Sequence, residues 1–337
     1  MPNPFKRLLG RSGDTSEVVT SYRIAAQHPA MDVPEADLSR LAFIHHTTSI
    51  FNIGDYLSSP RHYFRFVPNR QGRPVVVIGG GVFGNYNIVR KNAKSINIDA
   101  RCRVGWGIGL SVKGDGSASQ KMDVFSESLD FNATRDLELV SEKVPFCPCS
   151  SVFNSLTELP PGQEVGILLN HSPKVSGGDP LGLHARYDNL VVGGNALSEY
   201  DFRALFSRIG YLVTNSYHTA MWGLLSGRAV GIIGFSSKYT NVLKMFGIAG
   251  DYQRYEKGDT TGLVRAIDRV ISENLFVSAP NAADRRDEFR KLNLAYAGKL
   301  VEQGVFERID LGPDDQRSIE RRNSEVFRTH VLAAAYS

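Results

Sequence analysis

Residues 211–233 read YLVTNSYHTAMWGLLSGRAVGII. The apolar runs at 211–213 and 229–233 predict two buried strands, and the segment Tyr217–Leu225 between them predicts a helix. A strand, a helix and a second strand in close succession are typical of a parallel sheet with crossover helices. This unit therefore predicts an α/β protein.

Similar patterns flank this unit on both sides. Further strands are predicted at 165–169 and 190–192, and an earlier series at 41–44, 74–78, 103–109 and 123–131. Further helices are predicted at Glu199–Arg208, 238–246, Thr260–Ser272 and 284–303. The whole pattern predicts two doubly wound, Rossmann-like α/β domains that face a cleft.

The segment 145–162, rich in Pro, Cys and Ser, separates the two series. We therefore expect four parts. They are an N-terminal arm (1–38), an N-terminal Rossmann-like domain (39–160), a C-terminal Rossmann-like domain (161–280), and a C-terminal helix and tail (281–337).

The composition excludes several classes of protein. The chain has 337 residues, of which 42% are hydrophobic and 22% are charged. These proportions exclude a disordered, collagen-like or coiled-coil chain. The net charge of +4 is too small to indicate nucleic acid as a partner, but it leaves acidic small molecules open. No apolar stretch approaches the ~20 residues of a membrane span and no secretory hydrophobic region is present, so we expect a cytoplasmic protein.

The three cysteines do not suggest a disulfide framework. Cys102, Cys147 and Cys149 are an odd number in a long chain. Cys147 and Cys149 supply only half of the four ligands that a structural zinc needs. We therefore expect buried free thiols and no metal site.

Glycine-rich segments follow two strands of the first series. Gly79-Gly80-Gly81 and the segment 105–109 allow a ligand to approach the backbone closely, but they lack the spacing of the G-x-G-x-x-G dinucleotide fingerprint. Tight turns without a ligand are the alternative. Trp106 is either a stacking platform or a core residue.

Asp55 lies in the segment Asn52-Ile53-Gly54-Asp55, where the first strand should meet its helix. Its carboxylate is either the N-cap of that helix or a catalytic group.

Imidazoles, hydroxyls and cations gather at strand ends of the second series. They are Ser216, Tyr217, His218 and Thr219 before one helix, His171 after an earlier strand, Arg186 in a loop, and Lys238 after a later strand. A helix N-terminus binds anions, and a histidine there can exchange a proton near neutral pH. A structural role for His218 is the alternative.

The order of these motifs resembles the polysaccharide pyruvyl transferase family over residues 41–247. The segments that carry the resemblance are Asn52-x-Gly54-Asp55, Gly79-Gly80-Gly81, Arg135-Asp136, Ser216-Tyr217-His218-Thr219-Ala220 and Lys238. Members move the enolpyruvyl skeleton of phosphoenolpyruvate onto sugar hydroxyls and have a two-lobed fold like that of GT-B glycosyltransferases. The resemblance implies a transferase of cell-surface or exopolysaccharide biosynthesis that forms a pyruvate ketal and needs no cofactor.

The resemblance also implies roles for the candidate residues. His218 transfers a proton and Asp55 is the base, which makes these two the catalytic residues. The phosphoenolpyruvate donor is bound in the C-terminal domain by Ser216, Tyr217, Thr219, Lys238, Arg186 and His171. The acceptor is bound on the N-terminal side by Asn52, Gly80, Gly81 and Trp106.

One position departs from the family pattern. Many members carry an arginine two residues before the histidine, where this chain has Ser216, whereas members resembling the succinoglycan type have serine there. Lys238, Arg186 or Arg90 could then hold the donor phosphate.

The implied acceptor is an oligosaccharide, lipid-linked at the inner face of the plasma membrane. Basic residues at both ends of the chain would give reversible, salt-sensitive contact with anionic lipid. They are Lys6, Arg7, Arg11, Arg317, Arg321, Arg322 and Arg328.

Two other functions fit the same pattern. A GT-B glycosyltransferase with a nucleotide-sugar donor would share the fold, but it typically has an acidic residue after the late strand, and residues 234–239 contain none. A catalytically idle glycan-binding relative is the third possibility.

Overall fold

The protein is described by a computed structural model that covers residues 40–45, 51–81, 98–110, 128–177, 183 and 185–312. The predicted arm, Arg90 and all seven basic residues named for membrane contact lie outside these ranges.

The first sheet has four parallel strands. They are β1 (Leu41–His45), β3 (Val75–Gly79), β4 (Cys102–Ile108) and β5 (Phe131–Thr134), and they lie side by side in this order. All five residues of β3 are buried, as expected for a Val/Ile run in the middle of a parallel sheet.

The second sheet has five parallel strands in the order β10-β9-β8-β6-β7. Their bounds are Glu164–Leu169 for β6, Val191–Gly194 for β7, Ile209–Thr214 for β8, Ala229–Gly234 for β9 and Gln253–Arg254 for β10. Because the strands of both sheets are parallel, the α/β class predicted from the sequence is confirmed.

Helices follow most of these strands. They are α1 (Ile53–Leu57), α2 (Pro173–Ser176), α3 (Glu199–Arg208), α4 (Tyr217–Leu225), α5 (Ser237–Met245), α6 (Thr260–Ser272) and α7 (Ala282–Glu302). Every residue of helix α4 is buried, and all but the first three are apolar. No described helix is both long enough and apolar enough to cross a membrane.

The chain returns to the first sheet after α6. In α7, the hydroxyl of Tyr296 donates to the carbonyl of Gly105 (2.9 Å), and Asn293 Oδ1 accepts from the indole of Trp106 (2.7 Å). Strand β11 (Phe306–Leu311) then pairs antiparallel with β2 (Phe64–Pro68). The sequence predicted neither β2 nor β11.

The cysteines are free and buried, as expected. Burial raises the pKa of the Cys102 thiol to about 11 and raises that of Cys147 as well, so both thiols stay protonated at neutral pH. Across the described ranges, no three His, Cys, Asp or Glu side chains are grouped so that they could hold a metal ion.

Candidate active site

His218 is the second residue of α4, directly after the turn that ends β8. Thr214 fixes this turn because its hydroxyl accepts the N–H of Ser216 (3.1 Å) and donates to the carbonyl of Leu168 on the neighbouring strand (2.6 Å). Ser216 is the N-cap residue of α4 and is buried together with Tyr217 and Thr219. The turn therefore places the imidazole at the carboxyl edge of the second sheet.

Asp55 faces this imidazole from the helix that follows β1. Its Oδ1 atom lies 3.9 Å from Nδ1 of His218. The N-cap of α1 is Asn52, whose Oδ1 accepts the N–H groups of Gly54 (3.0 Å) and Asp55 (3.3 Å). The alternative that Asp55 is the cap is therefore wrong, and its carboxylate faces His218 instead.

Asn52 also holds the Asp55 carboxylate in place. Its Nδ2 atom donates to Asp55 Oδ2 over 2.8 Å. Both ends of the Asn52 amide are thus used within α1. Asn52 therefore positions Asp55, and its contact with an acceptor stays a prediction.

The close approach of His218 requires a glycine at position 54, directly before Asp55. A Cβ atom at this position would lie 2.5 Å from Nδ1 and 2.7 Å from Cγ of His218, closer than any real contact. The imidazole therefore packs directly on the backbone of α1. This contact brings the Asn52–Asp55 segment and the α4 turn together.

Arg135, the residue after β5, faces the other side of the imidazole. Its Nη1 atom lies 3.2 Å from Nε2 of His218, and its guanidinium lies 3.9 Å from the centre of the Tyr217 ring. A guanidinium has only donors, so Nε2 accepts and the neutral ring carries its proton on Nδ1, towards Asp55. In the sequence, Arg135 stands only in the motif Arg135-Asp136, which predicted no role for it.

Glycines of the first sheet make room for Arg135. A Cβ atom at Gly109 would lie 2.3 Å from its Nε, and one at Gly81 would lie 3.4 Å from its Nη2. Gly80 has a φ of +75°, and a Cβ atom there would lie 2.2 Å from the hydroxyl of Ser58. Gly80 therefore belongs to a tight turn, whereas Gly81 borders the guanidinium.

Lys238, near the start of α5, adds a second cation. Its ammonium lies 5.1 Å and 4.7 Å from the ring centres of Phe235 and Tyr239. Burial lowers the pKa of Lys238 to about 8; the Asp55 carboxylate opposes this shift and the Arg135 guanidinium adds to it. Lys238 is therefore electrostatically coupled to both residues that flank His218.

Asp136, next to Arg135, is a buried carboxyl group. Burial raises its pKa to about 6, although Arg135 opposes the shift, and its Oδ2 accepts the N–H of Leu110 (2.6 Å). Asp136 is thus ionised at neutral pH and fixes the backbone where β4 ends.

Asn215 joins the elements on the second-sheet side. Its Oδ1 accepts the N–H of Asn170 (2.7 Å), and its Nδ2 donates to Ser176 (3.1 Å) and Tyr255 (2.9 Å). Its carbonyl accepts from the hydroxyl of Tyr239 (2.6 Å). Asn215 therefore links the turn that carries His218 to the helix that carries Lys238.

His171 lies two residues after the end of β6. It is buried, and its ring packs on Gly194, where a Cβ atom would lie 2.6 Å from Nε2. Its backbone N–H donates to Oδ1 of Asn195 (3.0 Å), the residue after β7.

Two of the predicted site residues, Arg186 and Trp106, have their contacts outside the group around His218. Arg186 forms an ion pair with Asp268 of α6 (2.6 Å), and its guanidinium also donates to Tyr187. Trp106 is fully buried among the rings of Phe64, Phe66 and Tyr296, so it is a core residue and not a sugar platform. The acceptor role of Trp106 is therefore wrong, whereas the donor role of Arg186 stays a prediction.

A separate open groove of about 960 Å³ runs along β10 and α6. Tyr252, Arg254, Tyr255, Arg265 and Arg269 line it together with Asp251, Glu256 and Asp259. None of the site residues predicted from the sequence lines this groove.

No protein-family model matches the chain, and no curated protein matches it either. Among solved structures, the chain is similar to the crystal structure of a functionally uncharacterized protein from Klebsiella pneumoniae subsp. pneumoniae NTUH-K2044. The sequence identity is 13% and the TM-score is 0.37, over 61% of this chain and 87% of the other. This similarity is too low to carry an argument about function.

Proposed function

We propose that the chain is a phosphoenolpyruvate-dependent pyruvyl transferase that forms a pyruvate ketal on sugar hydroxyls of a polysaccharide unit. The observation that carries the proposal is the arrangement around His218, with a carboxylate 3.9 Å from Nδ1 and a guanidinium 3.2 Å from Nε2. A proton-transfer pair beside fixed cations suits a small, doubly anionic donor. The two sheets would then form two GT-B-like domains.

The cations suit the two anionic groups of phosphoenolpyruvate. Arg135 can bind a carboxylate or phosphate with two N–H groups, and Lys238 supplies a point charge. The charge of Arg135 lowers the pKa of Lys238, so the two cations are close enough to support binding of one anionic ligand by both. Arg135 would thus take the place of the arginine that many family members have where this chain has Ser216.

The chemistry assigns one step to each group. Two sugar hydroxyl oxygens form bonds to C2 of the donor, and the bond from C2 to the phosphate oxygen breaks. The donor methylene gains one proton, delivered by His218, and becomes the methyl group of the ketal. Asp55 takes up one hydroxyl proton and returns a proton to Nδ1 of His218, so both groups end in their starting states. The second hydroxyl proton leaves with the phosphate, whose negative charge Arg135 and Lys238 stabilise.

The neighbourhood of β9 favours this donor over a nucleotide sugar. Residues 234–239 follow β9 and contain no carboxylate to bind a ribose. They provide Lys238 instead, which suits a phosphate.

The test is incubation of the protein with phosphoenolpyruvate and synthetic or lipid-linked glycans, followed by mass analysis for the pyruvyl increment. Calorimetry with phosphoenolpyruvate and with uridine or cytidine sugar nucleotides is the companion measurement. Binding of a sugar nucleotide without binding of phosphoenolpyruvate would replace the proposal with the glycosyltransferase alternative.

Two variants test the proton-transfer pair. His218→Ala should lower turnover by ~10²–10⁴-fold with the fold intact, which is the usual contribution of a general acid or base. Asp55→Asn should abolish transfer but keep donor affinity, because its amide oxygen can still accept the hydrogen bond from Asn52. Near-normal turnover in His218→Ala would return this histidine to a structural role.

A further inference from the structure

Asn195 carries a buried amide donor that the fold does not use. The residue directly follows β7 and is 2% exposed. Its Oδ1 accepts the N–H of His171, and its backbone N–H donates to the carbonyl of Leu169 (3.0 Å). Its Nδ2 atom has no hydrogen-bond partner in the described parts of the chain.

The orientation of this amide is fixed. A reversed amide would turn Nδ2 towards the N–H of His171 and bring two donors together. Exchanging the Oδ1 and Nδ2 positions of Asn195 therefore cannot provide Nδ2 with an acceptor. A buried donor without a partner costs free energy comparable to a lost hydrogen bond, so its presence requires an explanation.

The position of Asn195 indicates what the donor is for. Its carbonyl accepts the N–H of Ile53 (2.8 Å), the first residue of α1, which also carries Asp55. Asp55 faces Nδ1 of His218, whereas Arg135 faces Nε2. The imidazole thus separates the Arg135 guanidinium from a side that holds Asp55 and is bonded to Asn195.

Building on the proposed function, we infer that Asn195 binds the acceptor sugar: its Nδ2 atom donates a hydrogen bond to a hydroxyl oxygen next to Asp55. A neutral amide suits a neutral hydroxyl, and the donor anion pairs with Arg135 across the imidazole. The contact would hold the hydroxyl whose proton Asp55 removes. It would also favour the alkoxide that forms there.

Two variants isolate this donor. Asn195→Asp keeps an oxygen for the N–H of His171 and removes the Nδ2 donor, whereas Asn195→Ala removes both. An effect that both variants share is therefore caused by the loss of the Nδ2 donor. Asn69→Asp is the control, because Asn69 Nδ2 donates to the carbonyl of Gly304 (3.0 Å), away from His218.

Both Asn195 variants should raise the acceptor KM by about 10-fold, the range of one hydrogen bond to a neutral group. Calorimetry should show phosphoenolpyruvate affinity within about twofold of wild type for Asn195→Ala, and the control should match wild type in both measurements. An unchanged acceptor KM in both variants would overturn the inference. A loss of phosphoenolpyruvate affinity with an unchanged acceptor KM would also overturn it, since Asn195 would then face the donor.

A second measurement works without catalysis. Saturation-transfer NMR with methyl galactosides, glucosides and mannosides reports sugar contact even if no pyruvyl group is transferred. Sugar contact without pyruvyl transfer would refute the proposed function but not the role of Asn195. Weaker signals in both variants than in wild type support the inference. Equal signals in all three proteins, or no sugar signal with wild type, overturn it.

Discussion

Gly54 and His218 share one small space where α1 meets α4. A methyl group at residue 54 would lie 2.5 Å from Nδ1 of the imidazole. Gly54→Ala should therefore displace the ring from Asp55 and Arg135. We expect turnover to fall by at least ~10²-fold, the cost of a displacement of about 1 Å in a catalytic site. Steady-state kinetics of pyruvyl transfer and the far-UV circular dichroism spectrum check this prediction.

Gly298 provides the matched control. It also lies in a helix, α7, but no atom lies within 4 Å of a Cβ placed there. Gly298→Ala should leave turnover unchanged and stabilise the fold by up to ~1 kcal/mol, because alanine restricts the unfolded chain. Full activity of Gly54→Ala would show that the position of the imidazole does not limit the reaction.

Lys238 should make donor binding depend on pH. Its pKa is lowered to about 8 by burial. Only the protonated ammonium attracts the donor anion, so affinity should be highest below this pKa and fall as the pH rises through it, by up to ~10-fold per pH unit. Calorimetric titration of phosphoenolpyruvate between pH ~7 and ~9.5 measures this slope.

Lys238→Arg separates the charge from its titration. An arginine stays protonated throughout this pH range, so the affinity of the variant should not fall with pH. The same decline in both proteins would show that another group titrates and that Lys238 does not bind the donor.

At the scale of elements, Arg228 joins three segments of the second half. Its buried guanidinium donates to the carbonyls of Leu159 and Pro160 before β6, of Phe206 in α3 and of Ile209 in β8. Burial lowers the pKa of Arg228 to about 10, so it remains charged at neutral pH. The carbonyls of Phe206 and Ile209 also accept backbone N–H groups, from Ile209 and Gly162 respectively. The carbonyls of Leu159 and Pro160 therefore depend most on this side chain.

Arg228→Met should destabilise the protein by roughly 3 kcal/mol, because four hydrogen bonds to a charged donor are lost and the carbonyls of Leu159 and Pro160 lose their donor. Urea denaturation followed by circular dichroism measures the change. The exposed Arg269, paired with Glu273 in α6, is the comparison, and Arg269→Met should cost about 0.5 kcal/mol or less. Equal effects of the two substitutions would contradict the role assigned to Arg228.

The sequence predicted those elements whose signals are local. Helices α3, α4 and α6 have the predicted bounds because each has a suitable residue before its first turn and an apolar pattern along its length. The side chain of Ser198, for example, accepts the N–H of Asp201 at the start of α3 (3.1 Å). Strands β2 and β11 were missed because neither alternates regularly and each pairs with a segment far away in the sequence.

The candidate site was predictable only where a motif follows a strand. His218 and Asp55 both do, and the structure brings them together. The contact of Arg135 with His218 depends on the space above Gly81 and Gly109, which only the packed sheets create. The acceptor role of Trp106 was wrong because the helix that buries it, α7, lies far along the chain and gives no local signal near Trp106.

At the scale of the whole molecule, both tryptophans cross the predicted domain boundaries. Trp106 of the predicted part 39–160 bonds to Asn293 of the part 281–337. Trp222 of the part 161–280 donates to the hydroxyl of Ser151 (3.1 Å), which precedes the predicted boundary. One buried apolar cluster includes residues from all three parts. We therefore expect the described segments to unfold as one cooperative unit.

Single-tryptophan variants test this expectation, because the chain has two tryptophans, one in each half. In Trp222→Phe the remaining indole reports on the first sheet, and in Trp106→Phe it reports on α4. Each variant loses one cross-boundary hydrogen bond, so the two are not compared with each other. Within each variant, the thermal midpoints from fluorescence and from far-UV circular dichroism should coincide. If the fluorescence midpoint departed from the dichroism midpoint in either variant, the predicted parts would be domains that unfold separately.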